Sequence, residues 1–200
     1  MQIPSFYPYP TMVNSLFKRG PYASQHVDLV HVAMGILGEA IELENGEAEE
    51  NEDNVREECG DLEFYLEAAY QLLSDGNRAF AMHFAGALDR ELLSLYQMPL
   101  VELAEQFHDR IKKIWVYAQP LETHILHLAV LIGALRGRLE VRYDLMDTTR
   151  EAILLENQEK LALRYPEGVY TDKAAAERAD KAESVALEAD PATTEGADND

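Results

Sequence analysis

The sequence predicts an all-α helix bundle. Apolar residues recur at spacings of three and four through most of the chain, and no segment sustains the apolar-polar alternation of a strand. Pro or Gly stands at most of the points where one such run gives way to the next, as expected for helices joined by short connections. A chain of 200 residues that is 47% hydrophobic is long enough for one main domain with its own core.

The opening Ile3-Pro4-Ser5-Phe6-Tyr7-Pro8-Tyr9-Pro10 reads as an extended arm, because each proline restricts itself and its predecessor. A short helix is expected over about residues 11–18, stopped by Arg19-Gly20-Pro21. Ser24 is placed to cap a second helix reaching about residue 44, with Val27, Val30, Met34, Leu37 and Ile41 on its apolar side. The acidic stretch 45–53, which contains Gly46, reads as a solvated loop, and Asp53 or Asn54 as the next cap. Over residues 55–73, Val55, Cys59, Leu62, Leu66, Ala69 and Leu73 make one helical face.

Ser74-Asp75-Gly76-Asn77 then breaks the chain, and helices are expected over about 78–97, 100–118 and 121–143, punctuated by Pro99 and Pro120. A last core helix over about 145–164 ends before Tyr165-Pro166-Glu167-Gly168. After Asp172 the chain is rich in Ala, Glu and Asp, which predicts disorder or a frayed helix. The expected organisation is a helical domain over 1–170 and an acidic, disordered tail over 171–200.

A net charge of −20 with only 17 Lys and Arg disfavours a nucleic-acid partner, because neutralising phosphates needs clustered cations. No run approaches the roughly 20 apolar residues that span a bilayer. Met-Gln-Ile-Pro does not read as a signal peptide, so a cytoplasmic protein without a membrane partner is expected. The single cysteine, Cys59, cannot form an internal disulfide and is expected to be a buried thiol.

Residues three apart lie on the same side of a helix, about 5 to 6 Å between Cβ atoms. Glu39 with Glu42, and Glu58 with Asp61, therefore form two carboxylate clamps. Facing each other, they would make a four-carboxylate basket whose mutual repulsion a cation relieves, and all-oxygen donors suit Mg²⁺ or Mn²⁺. The same spacing arises by accident in a chain with 37 acidic residues, at Glu47 and Glu50, Glu49 and Glu52, Glu102 and Glu105, and Glu156 and Glu159. Gly35, Gly38 and Gly60 set the chosen pairs apart, since glycine lets helices approach closely.

Gly35-Ile36-Leu37-Gly38-Glu39-Ala40-Ile41-Glu42-Leu43 and Glu57-Glu58-Cys59-Gly60-Asp61-Leu62-Glu63-Phe64-Tyr65-Leu66 resemble the two metal helices of the MazG-like all-α nucleoside triphosphate pyrophosphohydrolases. Asn157-Gln158-Glu159-Lys160-Leu161, followed by Arg164-Tyr165-Pro166-Glu167-Gly168, is similar to the run that closes many bacterial and phage members. The resemblance covers roughly residues 25–73 and 150–170, and makes the middle helices over 77–143 an insertion relative to compact members. One departure is the stretch 44–53, where many relatives carry lysines that meet phosphates and this chain carries none, so phosphate contacts must come from elsewhere.

The resemblance implies hydrolysis of a nucleoside triphosphate to the monophosphate and pyrophosphate. It implies Mg²⁺ or Mn²⁺ on Glu39, Glu42, Glu58 and Asp61, with Glu42, and Glu39 beside it, as the catalytic carboxylates that handle the attacking water. Tyr65, one turn after Asp61, is expected at the phosphate or sugar, Lys160 and Arg164 at the phosphates, Asn157, one turn before Lys160, at the substrate, and His31 at the base. A homodimer or higher homo-oligomer is also implied. Two other readings compete: an acidic helical interaction module without catalysis, and a ferritin-like di-iron bundle suggested by Asp28 with His31 and Glu105 with His108.

Overall fold

The structure, a computed structural model, describes residues 8–20, 25–74, 95 and 97–178. The described residues form seven α-helices and no strand, which bears out the all-α class. They are α1 (Tyr9–Leu16), α2 (Gln25–Ala48), α3 (Glu52–Ser74), α4 (Leu100–Val116), α5 (Ile125–Leu145), α6 (Arg150–Arg164) and α7 (Asp172–Glu177), with a 3-10 turn at Leu121–Thr123. The helix expected over 78–97 lies almost wholly outside the described residues. Among the described residues, no helix is long and apolar enough to cross a membrane.

The central element is α3, which packs against α1, α2, α5 and α6, while α4 lies across α2 and α5. Its expected face is fully inside: Val55, Cys59, Leu62, Leu66, Ala69 and Leu73 are all buried. Burial also pushes the Cys59 thiol up to about 12, as suits an unreactive core sulfur. The core continues through Leu103, Phe107 and Ile111 of α4 and Leu128, Ile132, Leu135 and Tyr143 of α5.

Several boundaries differ from the sequence expectation for local reasons. α1 begins at Tyr9, because Pro10 falls in the first turn, where a missing N–H removes no helical hydrogen bond. The stretch 45–53 is mostly helical: α2 runs on to Ala48, and only residues 49–51 turn, with Glu50 at φ 54°. Asn51, not Asp53 or Asn54, caps α3, its Oδ1 accepting from the Asn54 N–H at 3.1 Å. α6 starts at Arg150 rather than near 145, capped by Thr149, whose hydroxyl accepts from the Ala152 N–H. The start of the expected tail is a short helix, α7, capped by Thr171, with Ala174 and Ala175 packed by Leu16, Leu161 and Tyr165.

The buried side of α2 is not the one expected. Leu29, Val32, Ala33, Ile36, Ala40 and Leu43 face the core, while Met34 and Ile41 are 62% and 43% exposed. Val27, Val30 and Leu37 of the expected apolar side are only half-buried.

A charged network ties α3 to α5 and α6. Glu63, 0% exposed, accepts from Arg150 through both carboxylate oxygens at 2.6 and 2.8 Å and from the Tyr143 hydroxyl at 3.3 Å. Arg136 stands 3.4 Å from Glu63 and donates to Glu67 at 3.1 Å.

Candidate metal centre

Glu39 of α2 and Glu58 and Asp61 of α3 each bring a carboxylate oxygen within 4.8 Å of the others, the only such acidic or His/Cys group among the described residues. α2 and α3 are antiparallel neighbours joined by a three-residue turn over 49–51, which sets one clamp opposite the other. Glu58 is buried, and Glu39 and Asp61 are half-buried.

Glu42 does not join them. At 3.6 residues per turn it sits about 60° further round α2 than Glu39. With Ala40 and Leu43 turned into the core, that rotation carries it into solvent. The expected four-carboxylate basket is therefore a three-carboxylate group with Glu42 exposed at its rim, still near enough to raise the proton affinity of Glu39 and Glu58.

Burial, then the charges of Asp61 and Glu58, push Glu39 from its ordinary 4.5 up to about 9. Its carboxyl donates a hydrogen bond to the Glu58 carboxylate, which is itself raised, chiefly by burial. A proton thus holds the group together where a divalent cation would relieve the same repulsion. Three oxygen donors at this spacing could hold a hard divalent cation.

α6 supplies the third wall. Asn157, buried, donates from Nδ2 to Asp61 at 2.7 Å, and the Lys160 ammonium donates to the same Asp61 oxygen at 2.5 Å, with Glu57 3.5 Å away. Asn157 Oδ1 accepts from the Tyr9 hydroxyl of α1 at 3.0 Å. Gly60 makes this approach possible: a Cβ there would stand 2.9 Å from the Cβ of Asn157. Gly35 has the same role on α2, where a Cβ would fall 2.4 Å from the Tyr65 ring. Gly38 does not, since nothing lies within 4 Å of its would-be Cβ.

Beside the carboxylates opens a cleft of about 240 Å³, which Glu39, Asp61, Tyr65, His31 and Arg164 all line. Tyr65 crosses Gly35 and meets the His31 ring edge-on at 5.9 Å. Burial, then the charges of Glu39 and Asp61, push its phenol up to about 12, so it stays a hydrogen-bond donor. His31 stacks on Phe17 at 4.8 Å and donates from Nδ1 to the Lys18 carbonyl at 3.1 Å. Phe17, Tyr165 and Tyr170 add to the aromatic lining, and Lys18 adds a cation. Arg56, Glu57 and Glu156 line a second depression of about 370 Å³ together with Asn157 and Lys160, the two residues bonded to Asp61.

Of the sequence-assigned residues, the structure gathers Glu39, Glu58, Asp61, Tyr65, His31, Asn157, Lys160 and Arg164 around one place, with Glu42 at the edge. Tyr9, Phe17, Lys18 and Tyr170 had no sequence signal: Tyr9 reaches Asn157 across 148 positions. The accidental acid pairs lie elsewhere, with Glu102 and Glu105 exposed, Glu156 paired with Arg56 and Glu47 with Arg142. The Asp28 carboxylate accepts from Arg19 and the Gly20 N–H, which takes it out of any pairing with His31.

Compared with known protein families, curated proteins and solved structures, the chain shows no match. Its function has to be read from its own residues.

Proposed function

We propose that the chain is a metal-dependent nucleoside triphosphate pyrophosphohydrolase of the MazG-like kind. The observation that carries this reading is the convergence of Glu39, Glu58 and Asp61 within 4.8 Å, beside an aromatic cleft that also holds Arg164. Mg²⁺ or Mn²⁺ on these three carboxylates supplies charge neutralisation for a polyphosphate and lowers the pKa of water.

The chain's own groups do the rest. Lys160, bonded to Asp61, and Arg164, which lines the cleft with Asp61, attract phosphate oxygens, while Tyr65 offers a phenolic donor to the phosphates or sugar. His31, stacked on Phe17, forms with Tyr65 and Tyr165 a surface suited to a flat base. Glu42, exposed at the rim and assisted by Glu39, orients or deprotonates the attacking water. Attack at the α-phosphorus breaks its bond to the bridging oxygen, releasing pyrophosphate and leaving the monophosphate.

The test is a panel of ribo- and deoxynucleoside triphosphates with Mg²⁺ or Mn²⁺, read as pyrophosphate release. At least one nucleotide should turn over, and Glu39→Gln or Asp61→Asn should lower the rate by about a hundredfold or more, because a neutral amide is a poor ligand for a hard cation. A panel without pyrophosphate, or variants as active as wild type, overturns the assignment.

A further inference from the structure

A polyphosphate carries several negative charges, more than Arg164 alone offsets where it lines the cleft. Lys18 lines the same cleft as Arg164, Glu39 and Asp61. It follows the end of α1, and its carbonyl accepts from His31, which fixes this backbone against α2.

Its ammonium already holds an anion. Lys18 Nζ stands 2.5 Å from Asp172 Oδ1 and lies over the Tyr170 ring, 5.1 Å from its centroid. The Tyr170 hydroxyl donates to the same Asp172 oxygen at 3.0 Å. The anion therefore comes from the first residue of α7, immediately after the wall formed by Tyr165 and Tyr170. The lysine and aspartate side chains are 50% and 79% exposed, and an ion pair that exposed is weak and readily exchanged.

We propose that Lys18 is a phosphate-binding residue of this site, and that Asp172 occupies it until a polyphosphate takes the carboxylate's place. The inference rests on the pyrophosphohydrolase reading and adds to it a second cation at the cleft. The carboxylate competes with substrate for one ammonium, so the two residues act on binding with opposite sign. Lys18→Met removes the attraction, whereas Asp172→Asn removes the competitor and leaves the lysine.

The test is calorimetric titration of the full chain with inorganic tripolyphosphate and Mg²⁺, together with KM for whichever nucleotide the wild type hydrolyses. Lys18→Met should weaken tripolyphosphate binding and raise KM by about tenfold, the scale of one charge-assisted hydrogen bond, and Lys18→Arg should restore most of the loss. Asp172→Asn should tighten binding and lower KM by a fewfold. A clasp that merely holds α7 in place would weaken binding in both variants, and that outcome overturns the proposal. So does a Lys18→Met protein with wild-type KM, or a wild type that binds no tripolyphosphate. If the wild type releases pyrophosphate normally, either result removes Lys18 alone; if no nucleotide is hydrolysed, the pyrophosphohydrolase reading falls and the Lys18 assignment with it.

Discussion

Glu39 sits where burial and two neighbouring carboxylates act on one group, and its proton affinity gives a test that needs no substrate. Its folded pKa, about 9, lies above the ordinary 4.5, so the folded chain keeps a proton that the unfolded chain gives up. Stability from that difference is fully present below 4.5 and is lost as pH rises through 9. The melting temperature of the metal-free wild type should therefore fall from pH 6 to pH 9 relative to Glu39→Gln, and Mn²⁺ should cancel the fall in the wild type only. Parallel melting curves for the two proteins would mean that the three carboxylates are not crowded. Which acids meet was only partly legible. The spacing of three marks Glu42 as well as Glu39, and only the rotation of α2 against α3, a tertiary fact, separates a carboxylate inside the group from one in solvent.

At the scale of the element, α2 shows why helical spacing finds a helix without orienting it. Val27, Val30, Met34, Leu37 and Ile41 obey the three-and-four rule, and so do Leu29, Val32, Ala33, Ile36, Ala40 and Leu43. Both stripes are apolar, and only contact with α3 and α4 selects the second. In α3 the stripe from Val55 to Leu73 runs the length of the helix, and it is buried throughout. The glycines of α2 divide in the same way, by a contact that composition does not record. Gly35→Ala forces a methyl onto the Tyr65 ring at 2.4 Å and should cost about 1–3 kcal/mol by overpacking, while moving an aromatic wall of the cleft. Gly38→Ala meets open space and should stabilise the helix by up to about 1 kcal/mol, the difference in helix propensity. Urea unfolding of the two variants beside wild type checks the contrast, and equal effects would contradict the register of α2 on α3.

Across the whole molecule, the three-carboxylate group and its surroundings draw on α1, α2, α3 and α6, and what fixes α3 against α5 and α6 is the ion network around Glu63 rather than apolar contact alone. Nothing in the sequence separates Glu63 from the acids beside it, because its partners Arg136, Tyr143 and Arg150 lie 73 or more positions away in a stretch that the family resemblance hardly touches. A carboxylate with no exposed surface persists only with paired cations, and the hydrogen bonds from Arg150 and Tyr143 together with nearby Arg136 meet that need. The same bonds raise Arg150 above the ordinary arginine range, the Glu63 hydrogen bond being the chief cause. Glu63→Gln keeps the size and removes the charge, leaving Arg150 without its anion while Arg136 retains Glu67. The loss should be about 3 kcal/mol, at the lower end for breaking a buried pair, since the Arg150 side chain is 30% exposed and can recover some water. Glu63→Met combined with Arg150→Met removes both charges together and should be markedly less destabilised than the two single losses added, because neither member is left buried alone. A urea double-mutant cycle reads this directly: strong coupling between the two sites is the expected result, and additive losses would show that the bidentate pair does not hold α6 to α3.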